Sequence, residues 1–265
     1  MRMTAVLRRV RGRGRAGAGT PRVTVVSPHY DDVPLSLGQS LRDGVLSGCD
    51  VHVRVAFGRS NWTSWVHPTP SRAPYVSWWR RGEESAAGLL FGYRWTAAGW
   101  EEALLRTGDH DPDHLLDRSR DLASEPLVVE LTQWLRAVLE RPVKGPRPDG
   151  LLVAAGLGGH VDHRILAFAA ARLVGVVDRP IGFYEDRPYV AYLDEAGIAE
   201  QLAPLGLDLV PHAVSGPVSR STQMWARRCY PSQMAPFFEE AMDLDRDRDA
   251  CERVWFPAGV RPPWD

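Results

Sequence analysis

Five short apolar runs, at 22–27, 51–57, 149–155, 180–184 and 208–214, are separated by segments whose apolar residues recur every three or four positions. Apolar runs this short read as strands buried on both faces, the pattern of a parallel sheet. The segments 34–47, 76–91, 124–141 and 163–176 read as helices. In the third, Leu127, Val128, Leu131, Leu135, Val138 and Leu139 hold helical spacing. Strands alternating with helices predict a single-domain, Rossmann-like α/β fold: a mostly parallel sheet with helices on both faces. The chain has 265 residues and shows no internal repeat, so one domain is assigned to 22–265. Residues 1–21 carry Arg2, Arg8, Arg9, Arg11, Arg13 and Arg15 among Gly and Ala without any acid, and are expected to be a disordered basic tail.

Composition excludes several classes of function. The net charge is −1, so no global field favours nucleic acid or an anionic membrane. No apolar run approaches the ~18 residues of a membrane span. Cys49, Cys229 and Cys251 are odd in number and far apart, which fits neither a disulfide framework nor a Cys-x-x-Cys zinc pair. A reducing cytoplasm is the expected compartment.

Chemistry concentrates at two strand ends. The run Val23 to Ser27 is stopped by Pro28 and followed at once by His29, Tyr30, Asp31 and Asp32; the run Leu151 to Ala155 is followed by Gly158, Gly159, His160, Val161, Asp162 and His163. Open α/β sheets bind ligands at this edge. A tight turn can aim His29 and Asp32 at one metal ion, with His163 as a third ligand from the second strand end. Two histidines and a carboxylate around an open position suit a catalytic zinc or non-haem iron, and such a metal lowers the pKa of water to roughly 7. Asp31 would then take a proton, His160 would face the developing oxyanion, and Asp162 would either orient a histidine or simply cap the following helix.

The pattern Pro28-His29-x-Asp31-Asp32 with His160-x-Asp162-His163 resembles the LmbE-like (PIG-L) metal-dependent N-deacetylases. Arg80-x-x-Glu83, Tyr184-Glu185-Asp186-x-Pro188-Tyr189 and Tyr230-Pro231-Ser232-Gln233 resemble further stretches of that family, so the likeness runs in order over about 22–235. It implies a Rossmann-like hydrolase that deacetylates N-acetylglucosaminyl conjugates and related amides. It also implies His29, Asp32 and His163 as ligands of a metal, usually zinc, with Asp31 as general base and His160 as electrophile or general acid. The chain departs from the pattern at Val33, at Gly38-Gln39, at Gly158, where some members carry tyrosine, and at Glu102, where an aspartate is usual. These departures bear on the substrate. The expected substrate is a small-molecule amide, an N-acylated amino sugar; the alternatives are a non-sugar amide, such as a thiol conjugate or peptide-like metabolite, and a non-catalytic metal- or glycan-binding protein.

Residues 58–75 and 99–122 read as long loops that shape the rim of the site. Arg80, Trp62, Trp65 and Glu102 are the candidate substrate contacts, although Arg80 could instead pair with Glu83 or Glu84. At least one of Trp78 and Trp79 is expected to pack its helix onto the sheet. The run Asp109 to His114 imitates a metal motif, but no strand precedes it and a solvated loop is expected.

Overall fold

The computed structural model describes residues 19–109, 111–140 and 146–265. Most of the basic tail, residues 1–18, and His110 lie outside these. Seven strands form one sheet in the order β3-β2-β1-β4-β5-β7-β6: β1 (Arg22–Ser27), β2 (Asp50–Val55), β3 (Arg94–Ala97), β4 (Gly150–Ala154), β5 (Ile181–Tyr184), β6 (Leu209–Pro217) and β7 (Cys251–Pro257). The first five are parallel to one another, and β7 runs against both β5 and β6.

Alternation along the strands builds two cores. Leu151 and Val153 of β4 face one, with Leu131, Leu135 and Leu166. Leu152 and Ala154 face the other, with Leu37, Leu41 and Phe91. The first core is roofed by α5 (Pro126–Glu140) and α6 (Val161–Ala171), the second by α1 (Asp32–Asp43), α2 (Ala73–Phe91) and α8 (Arg220–Cys229). Both faces of the sheet are therefore covered, as parallel strands require. Short helices α3 (Ala103–Thr107) and α4 (Pro112–Leu115) lie in the expected loop 99–122, and α7 (Glu195–Leu202) and α9 (Pro236–Asp247) complete the set. No helix among the described residues is long and apolar enough to cross a membrane.

Two strands depart from expectation. β3 is four residues long and its sequence, Arg-Trp-Thr-Ala, carries no apolar run. In β7 the polar pair Glu252 and Arg253 follows Cys251, so only Val254-Trp255-Phe256 signals a strand. Trp78 and Trp79 also depart: they are 71% and 46% exposed, and α2 instead packs through Val76, Ala87 and Phe91. The two indoles occupy the solvent side of the helix.

β7 has a part in holding the site. Helix α1 loses helical geometry at Leu37 (φ −130°, ψ 15°), which frees backbone N–H groups in its middle. Glu252 receives them: Gln39 N donates to Oε1 at 2.7 Å and Ser40 N to Oε2 at 2.6 Å. Burial pushes the Glu252 carboxyl up to about 7, against the pull of these donors. Glu252→Ala would leave two buried N–H groups without a partner, an expected loss of roughly 2–4 kcal/mol in urea unfolding. Glu252→Gln, which keeps one acceptor, should lose less.

Candidate metal centre and active site

The strand order reverses between β1 and β4, which places the switch point of the sheet between the two motif-bearing strand ends. After β1 the chain turns so that Asp32 opens α1 and its Oδ2 accepts the backbone N–H of His29 at 2.7 Å. After β4, a turn in which Gly156, Gly158 and Gly159 all take positive φ leads to His160, the N-cap of α6. A side chain at Gly158 would come within 2.3 Å of Tyr189 Cβ. Tyr189 in turn sets its ring edge-on to His163, with centroids 5.9 Å apart.

Three ligand atoms meet at this point. His29 Nδ1 lies 3.4 Å from Asp32 Oδ2, His163 Nε2 lies 3.5 Å from the same oxygen, and the two nitrogens are 3.3 Å apart. Bonds of roughly 2.1 Å at the tetrahedral angle separate ligand atoms by about 3.4 Å, so this nearly equilateral triangle fits a metal ion without rearrangement. All three residues are buried.

Each imidazole is held from behind by a carboxylate. His29 Nε2 is 3.0 Å from Asp162 Oδ2, and His163 Nδ1 is 2.6 Å from Asp186 Oδ1. With the outer nitrogens engaged as donors, the inner lone pairs point at the shared centre, the arrangement common behind metal-bound histidines. Asp162 does not cap α6. Its remaining capacity accepts Ala103 N at 2.8 Å and Arg106 Nη2 at 2.7 Å, both from the segment after β3. Asp186 also receives Leu157 N at 2.9 Å. A second grouping, His29 with His160 and Asp162, is a poorer site because Asp162 is already filled by these donors.

The electrostatics call for a cation here. Burial pulls the His29 imidazole down, yet the Asp162 and Asp32 carboxylates override it and lift it to about 10. The same carboxylates that would hold a proton on His29 would hold a metal ion between the three ligand atoms. Burial opposes the charge on Asp32 as well, but His163 and His29 outweigh it and keep this carboxyl low. His160 goes the other way: burial, then His29 and His163, lower it to about 3. It is neutral, and its Nδ1 accepts Asp162 N at 3.2 Å, so Nε2 carries the proton.

Asp31 sits beside the triangle, 5% exposed, and Arg80 Nη2 donates to its Oδ1 at 3.0 Å. Burial raises the Asp31 carboxyl, with Arg80 opposing. Arg80, itself 3% exposed, donates through Nη1 to Ser60 Oγ at 2.9 Å and reaches Glu102 Oε2 at 3.3 Å. Thus Arg80 pairs with neither Glu83 nor Glu84. Glu83 accepts Ser232 N at 2.9 Å and Ser232 Oγ at 2.7 Å, tying Tyr230-Pro231-Ser232-Gln233 to α2. Of the other candidate contacts, Glu102 is buried in the Arg80 network, Trp62 is half-buried, and Trp65 is 55% exposed and stacked edge-on to Trp79 at 5.5 Å. Of the Asp109 to His114 run, His110 lies outside the described residues and 112–115 form α4; exposed His114 turns its Nδ1 to Asp109 Oδ2 at 2.7 Å. The run contributes to no metal-competent group among the described residues.

Asp186 and Arg106 bond to His163 and Asp162, contacts that the strand-end motifs do not announce. Asp186 is visible in the sequence only as part of the Tyr184-Glu185-Asp186 segment.

No family model matches the chain. It is 29% identical to the 2'-N-acetylparomamine deacetylase of Streptomyces fradiae over 89% of this chain and 90% of that protein. Among solved structures, a deacetylase–BOG complex from the teicoplanin biosynthesis pathway matches with a TM-score of 0.63 at 19% identity, covering 90% of this chain and 100% of that one. N,N'-diacetylchitobiose deacetylase from Pyrococcus horikoshii matches with a TM-score of 0.53 at 16% identity, covering 87% and 77%. These solved structures share the fold.

Asp186→Ala removes the carboxylate behind His163. Metal affinity measured by competition with a chromophoric chelator is expected to fall about 10- to 100-fold with the fold intact by circular dichroism. Unchanged affinity would show that Asp186 does not support a metal ligand through His163.

Proposed function

We propose that this chain is a metal-dependent N-deacetylase of the LmbE-like (PIG-L) type. It removes an acetyl or other acyl group from the amino group of an amino-sugar-containing small molecule. The observation that carries this reading is the triangle of His29 Nδ1, Asp32 Oδ2 and His163 Nε2 with the buried carboxylate of Asp31 next to it. A pure binding site has no use for that additional base. The relative that deacetylates 2'-N-acetylparomamine supports an amino sugar as the amine.

His29, Asp32 and His163 would hold zinc, or iron in its place, and the metal would supply a Lewis acid that polarises the amide carbonyl and acidifies water. Asp31 takes a proton from the attacking water, its carboxylate kept in orientation by Arg80. As water adds to the amide carbon, negative charge grows on the amide oxygen, and neutral His160 donates Nε2–H to it. When the C–N bond breaks, Asp31 returns its proton to the nitrogen, and the products are a carboxylic acid and a free amine. Asp162 and Asp186 keep the two ligand imidazoles in one tautomer and one orientation throughout. Trp62 and Trp65, in the segment after β2, are available to pack on the apolar face of the substrate. The deacetylase domain is residues 22–265. Free Cys49, Cys229 and Cys251 suit a reducing cytoplasm.

Asp31→Asn is expected to lower amine release from N-acetylated amino sugars by about 10²- to 10⁴-fold while leaving metal content unchanged. His163→Ala should lose metal and turnover together. Chelation should abolish turnover in the unaltered protein, and zinc should restore it. Full activity in the Asp31 variant would sink the mechanism.

A further inference from the structure

Strand alternation gives β2 one apolar and one polar face. Val51, Val53 and Val55 enter the second core, while Asp50, His52 and Arg54 turn to the side on which Val26 meets the first. Val26 pairs in register with Arg54, and His52 with Arg94 of β3. A cleft of about 50 Å³ opens on this corner beside Val138, on the last turn of α5, several times the space that one water needs. Three adjacent strands each send one arginine to it: Arg22 from β1, Arg54 from β2 and Arg94 from β3. Only two carboxylates answer these three cations. Asp149 accepts Arg22 Nη2 at 3.3 Å, and Asp50 accepts Arg94 Nη2 through both oxygens at 3.0 Å. Half-buried Arg54 makes no hydrogen bond and no ion pair among the described residues, and Arg22 Nε and Arg54 Nε are both buried without a partner. Burial lowers the Arg54 guanidinium with no carboxylate opposing it. The surplus charge reaches His52 as well: burial, then Arg54 and Arg94, lower its imidazole to about 4, against the pull of Asp50. Residues 1–18 and 141–145, outside the described residues, contain Arg and Lys but neither Asp nor Glu.

We propose that Arg22, Arg54 and Arg94 form a binding site for a phosphate group, placed toward the N-terminal ends of β1, β2 and β3. The metal centre lies at the opposite ends of the strands, so the two sites are separate. A half-buried cation without a partner is costly to hold, and a bound anion offsets that cost. Arginine presents its donors in a planar fork that matches phosphate oxygens, and hydrogen bonds between charged groups are the strong ones. The open donors belong to different strands, so the ligand has to offer acceptors in more than one direction. A tetrahedral phosphate does so. A carboxylate has two oxygens in one plane, and chloride carries charge without direction. Inorganic phosphate and the phosphoryl group of a metabolite share this chemistry. The site holds whether or not the metal centre hydrolyses amides.

Isothermal titration of the full chain with inorganic phosphate, glucose 6-phosphate, acetate and chloride, at one ionic strength, tests the site. Saturable phosphate binding, about 10-fold or more tighter than acetate or chloride, is expected in the zinc-loaded and the chelated protein alike. Arg54→Gln should weaken it about 10- to 100-fold with metal content unchanged. Arg94→Gln, at an exposed position, makes the same comparison if Arg54→Gln does not fold. Glucose 6-phosphate binding as tightly as phosphate would assign the phosphoryl group of a metabolite, and its exclusion would assign the free ion; either result supports the site. Equal affinity for chloride, phosphate binding that survives the arginine substitution, binding lost on removing zinc, or no saturable binding would each overturn it.

Discussion

Two carboxylate–imidazole pairs, Asp162 with His29 and Asp186 with His163, are the interactions on which the rest of the site depends. Each fixes which ring nitrogen carries a proton, and so leaves a lone pair on the inner side. Two lone pairs and the Asp32 carboxylate, all within 3.5 Å of one another, repel unless a cation lies between them. The fold holds them in that arrangement because they issue from adjacent parallel strands at the reversal of strand order, where two chain ends diverge and leave a crevice.

Charge balance extends this logic outward. Burying Asp31, Asp32, Asp162 and Asp186 together would be prohibitive without compensation, and the protein places Arg80 on Asp31 and Arg106 on Asp162. Both arginines come from the segments after β2 and β3 rather than from the motif-bearing strands. The two long tracts at 58–75 and 99–122 are therefore parts of the site, sewn to it by Ser60, Glu102, Ala103 and Arg106. All five parallel strands deliver a residue to one edge: the three candidate ligands after β1 and β4, the Arg80 partners after β2 and β3, and Asp186 after β5.

Much of this was legible in the sequence where strand and chemistry are contiguous. Val23–Asp32 and Leu151–His163 each carry their apolar run and their ligands within a dozen or so residues, so both the sheet and the triangle could be read from spacing. What could not be read depends on partners far away in the chain. The acid behind His163 lies 23 residues on, and Glu252 meets the broken middle of α1 across more than 200 positions. Asp162 was ambiguous for the same reason: its position suits a helix cap, and only Ala103 and Arg106 show that the carboxylate is used elsewhere. β3 hides because an edge strand four residues long needs no apolar run, and Trp78 and Trp79 mislead because hydrophobicity alone does not say which side of α2 they occupy.

The geometry makes one demand that diffraction can meet. Crystals of the zinc-loaded protein, measured on both sides of the zinc absorption edge, should show a single strong anomalous peak roughly 2.0–2.2 Å from His29 Nδ1, Asp32 Oδ2 and His163 Nε2. A peak at another cluster, or none at the meeting point of these three atoms, would contradict the metal centre and the hydrolytic chemistry built on it.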